Sequence, residues 1–177
     1  MSDRALLVID VQKEYFAGGA WALPESENRL PNILRLIESA REREDVVIFV
    51  QHIAPAESPV FAKGSTGSEL HDQLAPREED PIIQKNHPSA FMDTSLEMVL
   101  TETGIRQLDI CGFMTQMCCD TTTRAAYGRG YKVRFFSDAT AARDVTFQGE
   151  VIPHDTVHKA TLATLARFAE VITTDQG

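Results

Sequence analysis

Positive charge is what this sequence has too little of: 17 Lys and Arg stand against 26 Asp and Glu, a formal net charge of −9. Binding to a phosphate backbone depends on clustered cations, so nucleic acid is not an expected partner. Long apolar runs are missing as well. No stretch approaches the roughly 20 residues that a membrane-spanning helix needs, and the opening MSDRALLVID is too short and acidic for a secretory signal. No membrane association is expected, and the cytoplasm is the expected location. Cysteine is scarce, confined to Cys111, Cys118 and Cys119. Three thiols cannot all pair within one chain, and adjacent Cys118 and Cys119 are badly placed to bond each other, so the expectation is reduced thiols and no disulfide framework. No internal repeat, low-complexity tract or linker divides the 177 residues, which leads to the expectation of one domain over 1–177 with its own core.

What the chain does contain is a series of short, branched-rich apolar runs: ALLVID at 5–10, VVIFVQ at 46–51, PIIQK at 81–85, LDICGF at 108–113, VRFF at 133–136 and VIT at 171–173. Continuous rather than alternating hydrophobicity marks strands buried on both faces of a parallel sheet. Helical patterns lie between them. In 29–42, Leu30, Ile33, Leu34 and Ile37 fall at helical spacing, with Pro31 suited to a first turn. Thr94 followed by Glu97 predicts a capping box for a helix through Leu100, ended by Gly104 in the left-handed conformation. Segments 115–127 and about 154–168 complete the set, the last with Val157, Leu162, Leu165 and Phe168 on or near one face. Strand–helix alternation predicts an α/β fold in three layers, helices on both faces of a parallel sheet. The irregular stretch 52–80 is long enough to be a functional cover or to carry a subunit contact.

Ligands on such sheets bind beyond the carboxyl ends of the strands. Asp10 closes the first run, Lys85 ends the third, and Cys118 lies six residues past Gly112, in the first turn of the next predicted helix. A thiol there feels the positive end of the helix dipole, so its pKa is expected to be lowered, the more so with a lysine nearby. Asp10 can accept the thiol proton and return it to a leaving amine, while N–H groups of the same turn can hold an oxyanion. Singly, an Asp at a strand end caps turns, a Lys is solvated and a helical Cys is core. Their combination is what suggests covalent acyl transfer.

Five segments, LLVIDVQKEYF at 6–16, FVQH at 49–52, KNHPSAF at 85–91, CGFMTQMCCDTTTRAA at 111–126 and SDATAA at 137–142, carry a further signal. In their order and spacing the chain resembles the isochorismatase-like cysteine hydrolases, which include nicotinamidases and N-carbamoylsarcosine amidase, over almost its whole length. The resemblance implies a six-stranded parallel sheet and an Asp–Lys–Cys triad at Asp10, Lys85 and Cys118. It also implies a cis peptide at Phe113–Met114 and an oxyanion hole formed by the N–H groups of Met114 and Cys118. Thr115, three residues before the nucleophile, selects Cys118 over Cys119; one step along a helix turns a side chain by about 100°, so Cys119 is expected to pack or to line the pocket. A small-molecule substrate and a homodimer or homotetramer are implied in the same way.

Departures from the family narrow the activity. Its nicotinamidases carry an Asp-x-His and a further His for metal, whereas this chain reads Val50, Gln51, His52. No metal and no cofactor are expected, with His52 and His71 standing as two possible ligands without a carboxylate. His87, His154 and His158 show no ligand-like clustering, although the last two share a helix face by spacing. Isochorismatases proper cleave a vinyl ether and several lack the cysteine, so Cys118 favours a carbonyl. The expected activity is hydrolysis of an amide-type C–N bond in a small molecule. The alternatives are vinyl-ether hydrolysis, or a non-catalytic binding protein whose thiol senses oxidants. Gln12 is expected to hydrogen-bond substrate near Asp10, and Phe16, Trp21 and Phe91 to stack on it.

Overall fold

A computed structural model describes residues 2–177. Six parallel strands form one sheet in the order β3-β2-β1-β4-β5-β8: β1 Arg4–Ile9, β2 Val46–His52, β3 Ile82–Lys85, β4 Gln107–Phe113, β5 Lys132–Ala141 and β8 Glu170–Ile172. The apolar runs of the central strands β1, β2 and β4 are continuous because both faces are covered, whereas the edge strand β3 alternates exposed and buried residues. In β1, Leu6 and Val8 enter one core cluster, which α1 (Ser26–Glu42) covers with Leu30, Ile33, Leu36 and Ile37. Ala5, Leu7 and Ile9 enter the other, beneath α2 (Leu96–Glu102), α3 (Asp120–Gly128) and α4 (His154–Leu165). Each of the four large α1 side chains contributes about 1.5–3 kcal/mol by leaving water. The three-layer α/β arrangement expected from the alternation is the one observed. Among the described residues no helix is long and apolar enough to cross a membrane.

Several local expectations need correction. The first helix begins at Ser26, so Pro31 sits inside it rather than in its first turn. The Thr94/Glu97 capping box does not form: Ser95 is the N-cap without a side-chain cap bond, and Glu97 instead meets Tyr131 and Arg129. Gly104 does take positive φ, +71°, after that helix. The last helix stops at Leu165, and of its residues only Leu165 is buried, so Phe168 lies beyond it. A small antiparallel hairpin, β6 (Val145–Phe147) and β7 (Glu150–Ile152), follows β5 where no strand was expected. Its side chains are mostly exposed, so no buried apolar run announced it.

Gly112 shows how closely β4 approaches β1 at their carboxyl ends. Its φ is +113°, and a Cβ there would lie 2.0 Å from the Ile9 carbonyl oxygen. Only glycine lets β4 leave the sheet beside the residue that precedes Asp10.

Candidate active site

Asp10 follows β1 with φ +50°, a left-handed conformation that Asp tolerates better than most residues, and its N–H donates to Val50 O at 2.9 Å. Lys85 is the last residue of β3. Cys118 lies on a π-helical turn, Thr115–Cys119, that joins β4 to α3; such turns recur at functional sites. The three residues meet. Nζ of Lys85 is 2.7 Å from Oδ2 of Asp10, 3.2 Å from Sγ of Cys118 and 3.2 Å from Nδ1 of His52. Asp10, Lys85 and Cys118 are all buried. The Asp10 carboxylate faces the Lys85 ammonium and the Cys118 thiol, so one cation rather than a two-pronged donor holds it and lone pairs remain for a proton.

Burial works against the charge on Lys85, but Asp10 and Cys118 outweigh it and hold the ammonium above its usual pKa. Cys118 corrects the expectation of an acidic thiol. Burial pushes its pKa well up, the Asp10 charge adds to the shift, and Lys85 opposes it without prevailing. Position at a helix start is outweighed by desolvation, because a thiolate loses far more solvation in this pocket than a partial helix charge returns. The resting thiol keeps its proton.

The Phe113–Met114 peptide is cis. The Met114 N–H has no acceptor among the described residues, while its carbonyl accepts from Met117 N at 3.1 Å and Cys119 N at 3.2 Å. Cys119 is fully buried in the core beneath α3, and burial followed by the neighbouring Cys118 raises its pKa. Cys111 belongs to the opposite cluster, its thiol 3.8 Å from Leu7 O.

Of the expected substrate contacts, Gln12 is corrected most clearly. Its Nε2 donates to His52 O at 2.8 Å and Ser68 O at 2.7 Å, and its Oε1 accepts from His52 N at 2.8 Å. With both N–H groups and one of two oxygen lone pairs in use, the amide ties the 52–80 stretch to β1 and has no donor left for a ligand. Phe91 is corrected too: it packs on Tyr131 and under Arg129, residues that precede β5 and so lie at the other end of the sheet. Phe16 is buried between Phe113 and His71. Trp21 is 36% exposed, covered on one face by Arg143 and set edge-on to Phe61.

Phe61 is a buried aromatic near the site that sequence reasoning missed. It contacts Tyr15, His52 and Trp21, placing an aromatic cluster beside Lys85; within an irregular stretch no periodicity could mark it. Burial, then Lys85, lowers the pKa of His52. His71 is lowered chiefly by burial in a different setting, near Glu27 and Asp72. No group of three or more His, Cys, Asp or Glu suited to a metal occurs among the described residues. His87 pairs with Asp93 and His154 with Asp144, while His158 reaches Thr115.

A family profile described as "Isochorismatase domain" matches residues 4–176. The chain is 36% identical to the uncharacterised isochorismatase family protein YddQ of Bacillus subtilis, over 97% of this chain and 96% of that one. It is 33% identical to Nicotinamidase 3 of Arabidopsis thaliana, over 97% of this chain and 85% of the relative. Among solved structures, a cysteine hydrolase from Pseudomonas syringae pv. phaseolicola superposes with a TM-score of 0.93 at 29% identity, covering 99% of this chain and 92% of that chain.

Proposed function

From the premise that this chain belongs to the isochorismatase family and is a hydrolase, we propose that it cleaves an amide-type C–N bond of a small molecule through a covalent intermediate on Cys118. The observation that carries this reading is the buried run of contacts from Asp10 through Lys85 to Cys118. A protonated thiol beside an open carboxylate suits concerted attack: as Sγ bonds to the carbonyl carbon, its proton passes to Asp10. The N–H groups of Met114 and Cys118 hold the oxyanion. On collapse the C–N bond breaks and Asp10 returns the proton to the amine. Water then adds to the thioester, gives a proton to Asp10, and expels the acid while Sγ regains that proton. Lys85 keeps its charge throughout, favouring carboxylate and developing thiolate alike.

The same reading makes residues 1–177 one catalytic unit, acting in the cytoplasm as a homodimer or homotetramer without a metal. Three free thiols agree with a reducing compartment. Oxidant sensing is the weaker role, since a buried thiol with a raised pKa reacts slowly with oxidants. Steady-state assay of Cys118→Ala on a panel of small amides, with intact-mass detection of the acyl-enzyme in the wild type, tests the proposal. Turnover is expected to fall by on the order of 10⁴-fold or more; wild-type turnover in the variant removes the nucleophile assignment.

A further inference from the structure

The turn that carries Cys118 is held from outside as well as by its own backbone. Thr115 opens it and is fully buried. Its Oγ1 lies 2.9 Å from Nδ1 of His158, the fifth residue of α4. The backbone of Ser137, in β5, hydrogen-bonds the same imidazole. The proton assignment that satisfies the whole group puts N–H toward the Ser137 carbonyl and leaves Nδ1 to accept from the Thr115 hydroxyl. A neutral ring is what this requires, and burial, helped by Arg29, lowers the pKa of His158.

The apolar attachment of α4 is thin. Its one buried residue, Leu165, is at its carboxyl end, so the amino-terminal half is not seated on the sheet by hydrophobic burial. A directed polar link there sets where the helix lies against the Cys118 turn.

We propose that His158 is a positioning residue: through Thr115 it fixes the π-helical turn, and with it the approach of Cys118 Sγ and the turn's N–H groups to the substrate carbonyl. This rests on Cys118 being the nucleophile. Small displacements of a reacting group lower kcat far more than they weaken binding.

The test compares His158→Ala, His158→Asn, Thr115→Val, Thr115→Ser and the double variant His158→Ala/Thr115→Val. Three measurements are taken: kcat and KM on the best amide, iodoacetamide labelling of Cys118 by mass spectrometry, and thermal melting. His158→Ala and Thr115→Val are each expected to lower kcat by about tenfold to a hundredfold, with KM changing less than about threefold and labelling of Cys118 altered. Asn retains an acceptor near the Nδ1 position and Ser retains the hydroxyl, so both restore activity. The double variant is no worse than either single one, as a shared link requires. Wild-type kcat and labelling in folded His158→Ala and Thr115→Val overturn the proposal, as does full additivity. Should His158→Ala fail to fold, Thr115→Val against Thr115→Ser decides alone. If no amide is turned over, labelling still reads the position of Cys118, so failure of the amide reading and failure of the positioning role are separable.

Discussion

Two carboxylates are buried in this sheet beside a cation, and they are treated differently. Asp109, inside β4, faces Arg134 across the β4–β5 register. The guanidinium donates to both of its oxygens, Nε at 2.8 Å to Oδ1 and a terminal nitrogen to Oδ2. Asp10, at the end of β1, has the Lys85 ammonium 2.7 Å from one oxygen and the Cys118 thiol as its other neighbour. The Arg fork engages both oxygens of a carboxylate at once and strongly favours its ionised form; an ammonium is a point charge that engages one oxygen and leaves the other accessible. The two sites differ in saturation: two directed donors at Asp109 and one ammonium contact at Asp10.

Substitutions at the two sites sharpen the contrast. Asp10→Asn is expected to lower kcat by about 10²–10⁴-fold, the range for a general acid/base group, in steady-state assays. Asp109→Asn is expected to leave kcat near wild type and to reduce stability by about 3 kcal/mol in urea titration, because Arg134 is left without its partner. The contrast breaks if the Asp109 variant loses activity while keeping its stability. Gln12→Leu tests the anchor of the 52–80 stretch: with His52 N and His52 O losing their Gln12 partner and Ser68 O left with Gln51 alone, stability should fall by about 2 kcal/mol.

A pH effect of similar character follows from the buried acids. Cys111, Cys118, Cys119 and Tyr15 all have pKa values raised chiefly by burial. The unfolded chain therefore loses these protons first as pH rises. Their stabilisation is present in full below the ordinary thiol pKa and declines above about pH 8.5. Melting temperature against pH should fall on the alkaline side, and more gently in Cys111→Ala; an equal slope in both would remove Cys111 as a contributor. The smallest effect belongs to Trp21→Ala. This side chain is one third exposed, so KM should rise severalfold with little change in melting temperature, and an unchanged KM would take Trp21 out of the pocket wall.

The parts of this architecture that could be read early share one physical property: they are periodic or continuous. The central strands left apolar runs because both faces are covered, the edge strands β3 and β8 being more exposed, and Asp10, Lys85 and Cys118 were found together because parallel strands deliver their ends to one rim. Elements stabilised by exposed backbone pairing, such as the β6–β7 hairpin, left no such mark. Gln12 was read as a substrate contact because its polar character shows in sequence while its three backbone partners do not. Phe91 was misplaced for a related reason: nearness to Lys85 in the chain does not say toward which end of the sheet a side chain packs.

The amino-acid sequence by itself determined the parallel α/β sheet, the reactive residues at its carboxyl edge and the family, since burial pattern and motif order are properties of the chain. Only the tertiary structure decided that the Cys118 thiol is held protonated, that Gln12 is occupied and that His158 reaches Thr115. These depend on desolvation and on distances of a few ångströms between residues far apart in the chain. Neither is a function of residue type or spacing; both arise when separate elements close over the same space.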